Sequence, residues 1–303
     1  MITMKKLLII ICIFICVTLA CKSPQTGISL SNPESTDAVI VTSEDPAVNS
    51  TLMSPAAETT KSAPISIEGQ PVFYGMLNFI LPSGVASGTS GSQFSRAEGE
   101  DIAPWEVTPG HIQLTLDGYL LQGKSHQPRI LIYPATDYGE QFSAAFESIH
   151  RLINILANHG VQISSDQLPR VPFLHAEQAF ASNIEVISFQ NGQGVRFLTE
   201  YAQSPISANN QELFYQFQGL TSDGAYYVIA ILPITAPVLA ETSDGGAMLP
   251  PGGIVYPDIT DPEADWLGYY NAVTNLLNSL PQETFSPMLN QLDALISSIQ
   301  VTQ

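Results

Sequence analysis

The hydrophobic and polar positions along the chain change rhythm several times, and each change marks a segment. After Lys5 and Lys6 the sequence runs apolar from Leu7 to Leu19. From residue 22 to about residue 68 it turns to Ser, Thr, Pro, Ala, Glu and Asn, with no aromatic residue and no sustained apolar period. At Gln70 the texture becomes dense. Val72, Phe73, Tyr74, Met76, Leu77, Phe79 and Ile80 form an apolar run that ends at Pro82-Ser83-Gly84, which predicts a first strand. Pro82 to Gly110 is rich in Gly, Ser and acid and reads as a long surface excursion. Strict alternation of Ile112, Leu114 and Leu116 with Gln113, Thr115 and Asp117 predicts a strand over His111 to Leu121, and Arg129 to Tyr133 predicts another, closed by Pro134.

The period then shifts to that of a helix. Phe142, Ala145, Phe146, Ile149, Leu152, Ile153 and Leu156 recur at helical intervals up to Gly160, and Asp137 with Glu140 has the spacing of a capping box. Four strand-like segments follow, at Ile184–Gln190, Val195–Tyr201, Glu212–Leu220 and Tyr226–Leu232. Asn191-Gly192 joins the first pair and Ser222-Asp223-Gly224 the last, so each glycine is expected to supply the positive φ of a tight hairpin. A Gly/Pro-rich acidic stretch, Pro237 to Pro262, precedes two C-terminal helices over Trp266–Leu280 and Pro287–Ile299. Helices with antiparallel strands in a meander make an α+β fold, a single domain over residues 69–303.

The first twenty residues have the layout of a signal peptide, with a positive start, an apolar run and the small residue Ala20 before Cys21. Thirteen residues at about 1.5 Å each reach only about 20 Å, short of the roughly 30 Å of a hydrocarbon core, so a simple spanning anchor fits less well. Val17-Thr18-Leu19-Ala20-Cys21 resembles the lipobox of bacterial lipoproteins, which implies that Cys21 carries lipid on its sulfur. Thr18 departs from the Leu usual three residues before that cysteine, and ordinary signal-peptidase cleavage is the alternative. All three cysteines, Cys12, Cys16 and Cys21, lie in this segment, so a chain cut before Cys21 has no partner for that thiol and no internal disulfide. Residues 21–68 are then the lipidated cysteine and a flexible tether with a span near 40 Å. The localisation expected is a cell membrane or outer membrane, with the domain facing outside the cytoplasm.

Charge narrows the partners. Loss of Lys5 and Lys6 takes the net charge from −18 to −20, and the remaining bases, from Lys22 to Arg196, are scattered singly, which disfavours nucleic acid and adhesion to anionic lipid through the protein surface. The membrane contact is expected through lipid on Cys21, with an envelope protein or small ligand as further partner.

The runs Phe189–Tyr201 and Asn209–Tyr227 resemble a family of uncharacterised bacterial lipoproteins, which implies no activity. The order of meander, acidic loop and a closing helix with Leu292, Leu295, Ile296 and Ile299 is similar to PsbP/DcrB-like domains. That likeness implies an antiparallel sheet between helices and a role in assembly or stability of membrane complexes.

Catalytic motifs are not legible. Gly84 to Gly91 places Ala86 where a nucleophile elbow needs serine, and no cysteine beyond Cys21 remains for thiol or zinc-thiolate chemistry. His111, His126, His150, His159 and His175 lack zinc-ligand spacing and read as surface or helix-end residues, with His159 at a helix C-terminus. Asp258, Asp261, Glu263 and Asp265 crowd one loop, either as calcium ligands or with Asp261 or Asp265 simply capping the helix that begins near Trp266. Tyr226, Tyr227, Trp266, Tyr269 and Tyr270 are either a ligand groove or core. The reading is thus a non-enzymatic, lipid-anchored binding or envelope-assembly module with no cofactor, metal ligand or catalytic residue assigned. The alternative is an extracytoplasmic hydrolase using loop carboxylates, which requires a cleft holding two or more acids.

Overall fold

The computed structural model describes residues 68–99, 102, 107–158, 160–172, 174–258 and 260–302. The chain divides into two units, Met1–Lys61 and Ser62–Gln303, and the described residues all belong to the second. The signal peptide, Cys21, the tether up to residue 67 and His159 lie outside the described residues.

The fold is α+β, with four helices and two antiparallel sheets among the described residues. In chain order the strands are β1 (Gly69–Tyr74), β2 (Leu77–Pro82), β3 (Gly88–Phe94), β4 (His111–Asp117), β5 (Arg129–Pro134), β6 (Glu177–Phe189), β7 (Gly192–Ala202), β8 (Phe214–Thr221), β9 (Tyr226–Pro233) and β10 (Gln300–Val301). The helices are α1 (Ala135–Gln141), α2 (Ser143–Ala157), α3 (Trp266–Ser279) and α4 (Leu289–Ser297). Seven strands form the main sheet in the order β3-β4-β5-β9-β8-β7-β6, two meanders joined where β5 meets β9; β1, β2 and β10 form the small sheet.

Side chains that alternate along the central strands feed two cores. Ile130, Ile132, Val228, Ala230, Tyr215, Phe217 and Leu198 point to one face, where α3, α4 and the small sheet close over them. Leu131, Tyr133, Tyr227, Ile229, Ile231, Phe214 and Phe197 point to the other, under α1 and α2. The central strands are therefore covered on both faces, the reason β9 reads as a nearly continuous apolar run. Two polar side chains survive in the middle of β8 because each has a task. Gln216 and Gln218 are fully buried and donate to the carbonyls of Val171 (2.8 Å) and Pro169 (2.9 Å), tying the loop after α2 to the sheet.

Several expectations need correction. The dense run after Gln70 is two strands, since Gly75 at φ 56° turns the chain between β1 and β2. The excursion from Pro82 to Gly110 contains β3, a polar edge strand of sequence GTSGSQF with no apolar alternation to reveal it. The long helix is broken at Phe142, whose φ of −136° and ψ of 110° are extended, and Asp137 lies in the first turn of α1, whose N-cap is Pro134, so Asp137 and Glu140 form no capping box. At the β6–β7 hairpin Gly192 has no positive φ. It is needed for close approach, because a Cβ there would lie 2.1 Å from the Phe189 ring and 2.4 Å from the Leu220 carbonyl oxygen. Gly224 does take a positive φ, 72°.

Candidate functional site

A groove of about 890 Å³ runs along the outer edge of β6. That is within the range of small-ligand sites, whereas a neighbouring hollow by Arg151 and Asn154 holds only about 230 Å³. One wall of the groove is β6 from Ala179 to Val186, the opposite wall is α3, and the segment 160–165 closes one side.

The sequence builds α3 so that it presents two faces. Asp265 caps it by accepting from the Gly268 N–H (2.8 Å), and Tyr269, Val273 and Leu277, spaced four apart, are buried in the core. Tyr270, Asn271, Thr274, Asn275 and Asn278 consequently turn toward the groove. This face is uncharged, and each amide offers both donors and an acceptor.

The facing strand is irregular. β6 slips register against β7 between Gln178 and Phe180 and again between Ser182 and Glu185, and Asn183 sits at φ 49°. These bulges occupy the groups a sheet edge would offer to another strand. The Asn183 N–H donates to Asn278 Oδ1, and its carbonyl accepts from Arg196 Nη1. Two buried polar atoms there have no partner, Ser182 Oγ and Asn183 Oδ1.

Arg196 lies at the base of the groove and is only 2% exposed. Its Nη2 meets Glu185 Oε2 at 2.7 Å, and Nε and Nη2 make a two-pronged contact with Asp293, each at 3.1 Å. Tyr215 donates to Asp293 at 3.0 Å. Burial disfavours the guanidinium charge, but the hydrogen bond and charge of Asp293, with Glu185 beside it, hold its pKa above the ordinary value. This network ties α4 to β6 and β7. Among the described lining residues Glu185 is the carboxylate of the groove, and it is committed to Arg196. The pair of free acids that a hydrolase requires is not assembled here.

A second buried acid holds the loop behind the groove. Glu200 on β7 is fully buried, and its Oε1 accepts from the Asn209 N–H at 2.7 Å while Oε2 has no partner. Desolvation raises its pKa well above the usual carboxylate range; the Asn209 bond opposes that shift and the charge of Glu212 adds to it. Tyr269 and Tyr270 fasten the same loop, accepting from Ala208 (2.9 Å) and Ile206 (3.0 Å), and Tyr270 also donates to the Ile206 carbonyl (2.9 Å).

Of the aromatic residues singled out from sequence, Trp266, Tyr269 and Tyr270 come together, with ring centroids 5.2–6.1 Å apart, and Tyr270 reaches the groove. Tyr226 and Tyr227 do not join them. Tyr227 is buried beneath α1 near Tyr138, and Tyr226 packs against the opposite core.

The acidic loop resolves into local bonds: Asp258 accepts from Thr260, Asp261 from Glu263, and Asp265 caps α3. Among the described residues no three His, Cys, Asp or Glu side chains gather to hold a metal.

His111 and His126 are half-buried, contrary to the surface reading. His111 stacks between Phe94 and Tyr133, at 5.0 and 4.6 Å, and His126 lies 4.2 Å from the Phe214 ring. His150 and His175 are exposed.

Sequence reasoning passed over Arg196, Glu200 and the asparagines of α3. A single Arg or Glu inside an apolar strand was the available signal, with Asn271, Asn275 and Asn278 at helical spacing. Comparison with family models, curated proteins and solved structures returns no match to this chain.

Proposed function

We propose that this chain is a lipid-anchored binding module, fixed to an envelope membrane through Cys21, whose domain takes a neutral, hydroxyl-rich ligand of the saccharide class in the groove between β6 and α3. The observation that carries the reading is the uncharged amide-bearing face of α3 opposite Asn183, whose Oδ1 has no partner. A hydroxyl both donates and accepts, and so does a carboxamide, so the two match without a charge to neutralise. Tyr270 adds a partly exposed ring for an apolar sugar face. An added peptide strand fits less well, because the bulges of β6 and the engaged Asn183 backbone interrupt the edge. The lipobox-like stretch before Cys21 supports the anchor. Among the described residues no helix is long and apolar enough to cross a membrane.

The test is calorimetric titration of the full-length protein with neutral oligosaccharides. Saturable binding should weaken about tenfold or more when Asn271 and Asn275, both exposed, are changed to Ala together. Failure of every neutral saccharide to bind saturably, or binding indifferent to the double substitution, refutes the proposal.

A further inference from the structure

The cations that the fold buries, among the described residues, have visible partners with one exception. Arg196 has Glu185 and Asp293, Lys124 has Glu241 at 3.3 Å, and Arg151 donates to the carbonyls of Asp166 and Leu168. Arg129 is half-buried with no ion pair or hydrogen bond among the described residues, and its Nε is shielded from solvent with no acceptor. In a chain with 28 acids against 10 bases, an acid beside this guanidinium would be the easy arrangement. Two of the described acids nearby have other partners. Asp117, two residues beyond the Thr115 that pairs with Arg129, accepts from Ser90 Oγ at 2.9 Å, and Glu212 accepts from Ser125 Oγ at 2.6 Å.

The surroundings are basic instead. Arg129 opens β5 on the face shared with α1 and α2, beside Thr115 of β4. Toward the sheet edge this face becomes polar and half-open, with His111, Gln113 and Thr115 partly exposed and Ser90 and Ser92 fully so. His126, three residues before Arg129, has a shielded Nε2 with no partner. Burial lowers the pKa of His126 and of His111, and the charge of Arg129 lowers both further; Glu212 alone pulls His126 the other way. Arg129 Nε and His126 Nε2 are thus two shielded nitrogens without partners in a strongly acidic chain. An unpaired buried charge is costly, and a ligand oxyanion would relieve it.

We infer that Arg129, with His126 and the neighbouring Thr115 hydroxyl, forms a binding site for a small oxyanion, the phosphate or carboxylate group of a ligand. The guanidinium fork suits two oxygens of one such group. This site is separate from the groove, since β9, β8 and β7 lie between β5 and β6, a distance of about 19 Å at the usual strand spacing.

The test follows the Arg129 Nε–H and His126 ring signals by NMR in the full-length protein, titrated with inorganic phosphate and separately with acetate, chloride holding the ionic strength. The expected result is a saturable shift with at least one of the two. Phosphate alone would identify a phosphate group and acetate alone a carboxylate. Arg129→Gln should weaken binding about tenfold or more while leaving the unliganded protein at least as stable, and Arg129→Lys should bind more weakly than wild type because it lacks the fork. Absence of a saturable response to either anion, its persistence in Arg129→Gln, or clear destabilisation of unliganded Arg129→Gln would overturn the inference, the last because it would reveal a structural partner.

Discussion

Replacing Glu200 by Gln should stabilise the protein, and by an amount that depends on pH in a defined way. Glu200 is fully buried, and desolvation raises its pKa well above the usual carboxylate range. Its folded pKa is therefore above its unfolded one, so the stability associated with the protonated carboxyl is complete below about pH 4.5 and is lost as pH rises toward the folded pKa. Across that window the native state holds one proton that the unfolded chain has released, and unfolding free energy falls by about 1.4 kcal/mol per pH unit from this group alone. Gln has no such proton to lose, and its Oε1 can still accept from the Asn209 N–H. Urea unfolding of wild type and Glu200→Gln at about pH 5.5, 6.5 and 7.5 and fixed ionic strength isolates the effect, since other groups largely cancel in the difference. The advantage of the variant should grow with pH at about 1.4 kcal/mol per unit. A difference that stays flat with pH would refute the reasoning, because it would mean that Glu200 is already ionised in the native protein.

Two further substitutions test the elements around the groove. Arg196→Met should cost about 3 kcal/mol or more by urea unfolding, since it strands Asp293 and Glu185 in the places the guanidinium held, and adding Asp293→Leu should restore part of the loss. Gly194→Ala should destabilise by about 1–3 kcal/mol, because a Cβ there would lie 2.4 Å from the Gln218 carbonyl oxygen and 2.5 Å from the Phe217 ring; an unchanged urea midpoint would show that β7 and β8 can separate at that point.

The parts of the fold that write themselves into hydrophobic rhythm were readable. β4 shows its alternation openly, and β7, β8 and β9 are bounded by turn residues that do turn the chain. What escaped has no rhythm. β3 is held by pairing with β4 rather than by burying its own side chains, so GTSGSQF carries no sign of a strand. The first part of β6, from Glu177 to Asn183, hides behind its two bulges, which shift the alternation out of phase. The break between α1 and α2 is equally silent, because Phe142 keeps the apolar spacing while its backbone leaves the helix.

The site was legible only in fragments for a related reason. Tyr270 stood out as an aromatic residue at helical spacing, but which face of α3 meets β6 depends on a contact made by residues some ninety positions apart, as between Asn183 and Asn278. Arg196 and Glu200 look like ordinary polar positions of a strand until both faces of β7 are found to be covered. The acidic loop offered both an ion site and a helix cap; Asp265 does cap α3, while Asp258 and Asp261 accept from neighbours two residues on.

The central claim is that the groove between β6 and α3 holds a ligand, and native mass spectrometry of the full-length protein from its own host tests it most directly. Wild type should be compared with Asn275→Trp, in which an exposed position on α3 fills the groove without entering the core. The account predicts extra mass on wild type that is released on denaturation and is missing from the variant. Identical spectra from the two proteins, with or without extra mass, would contradict it.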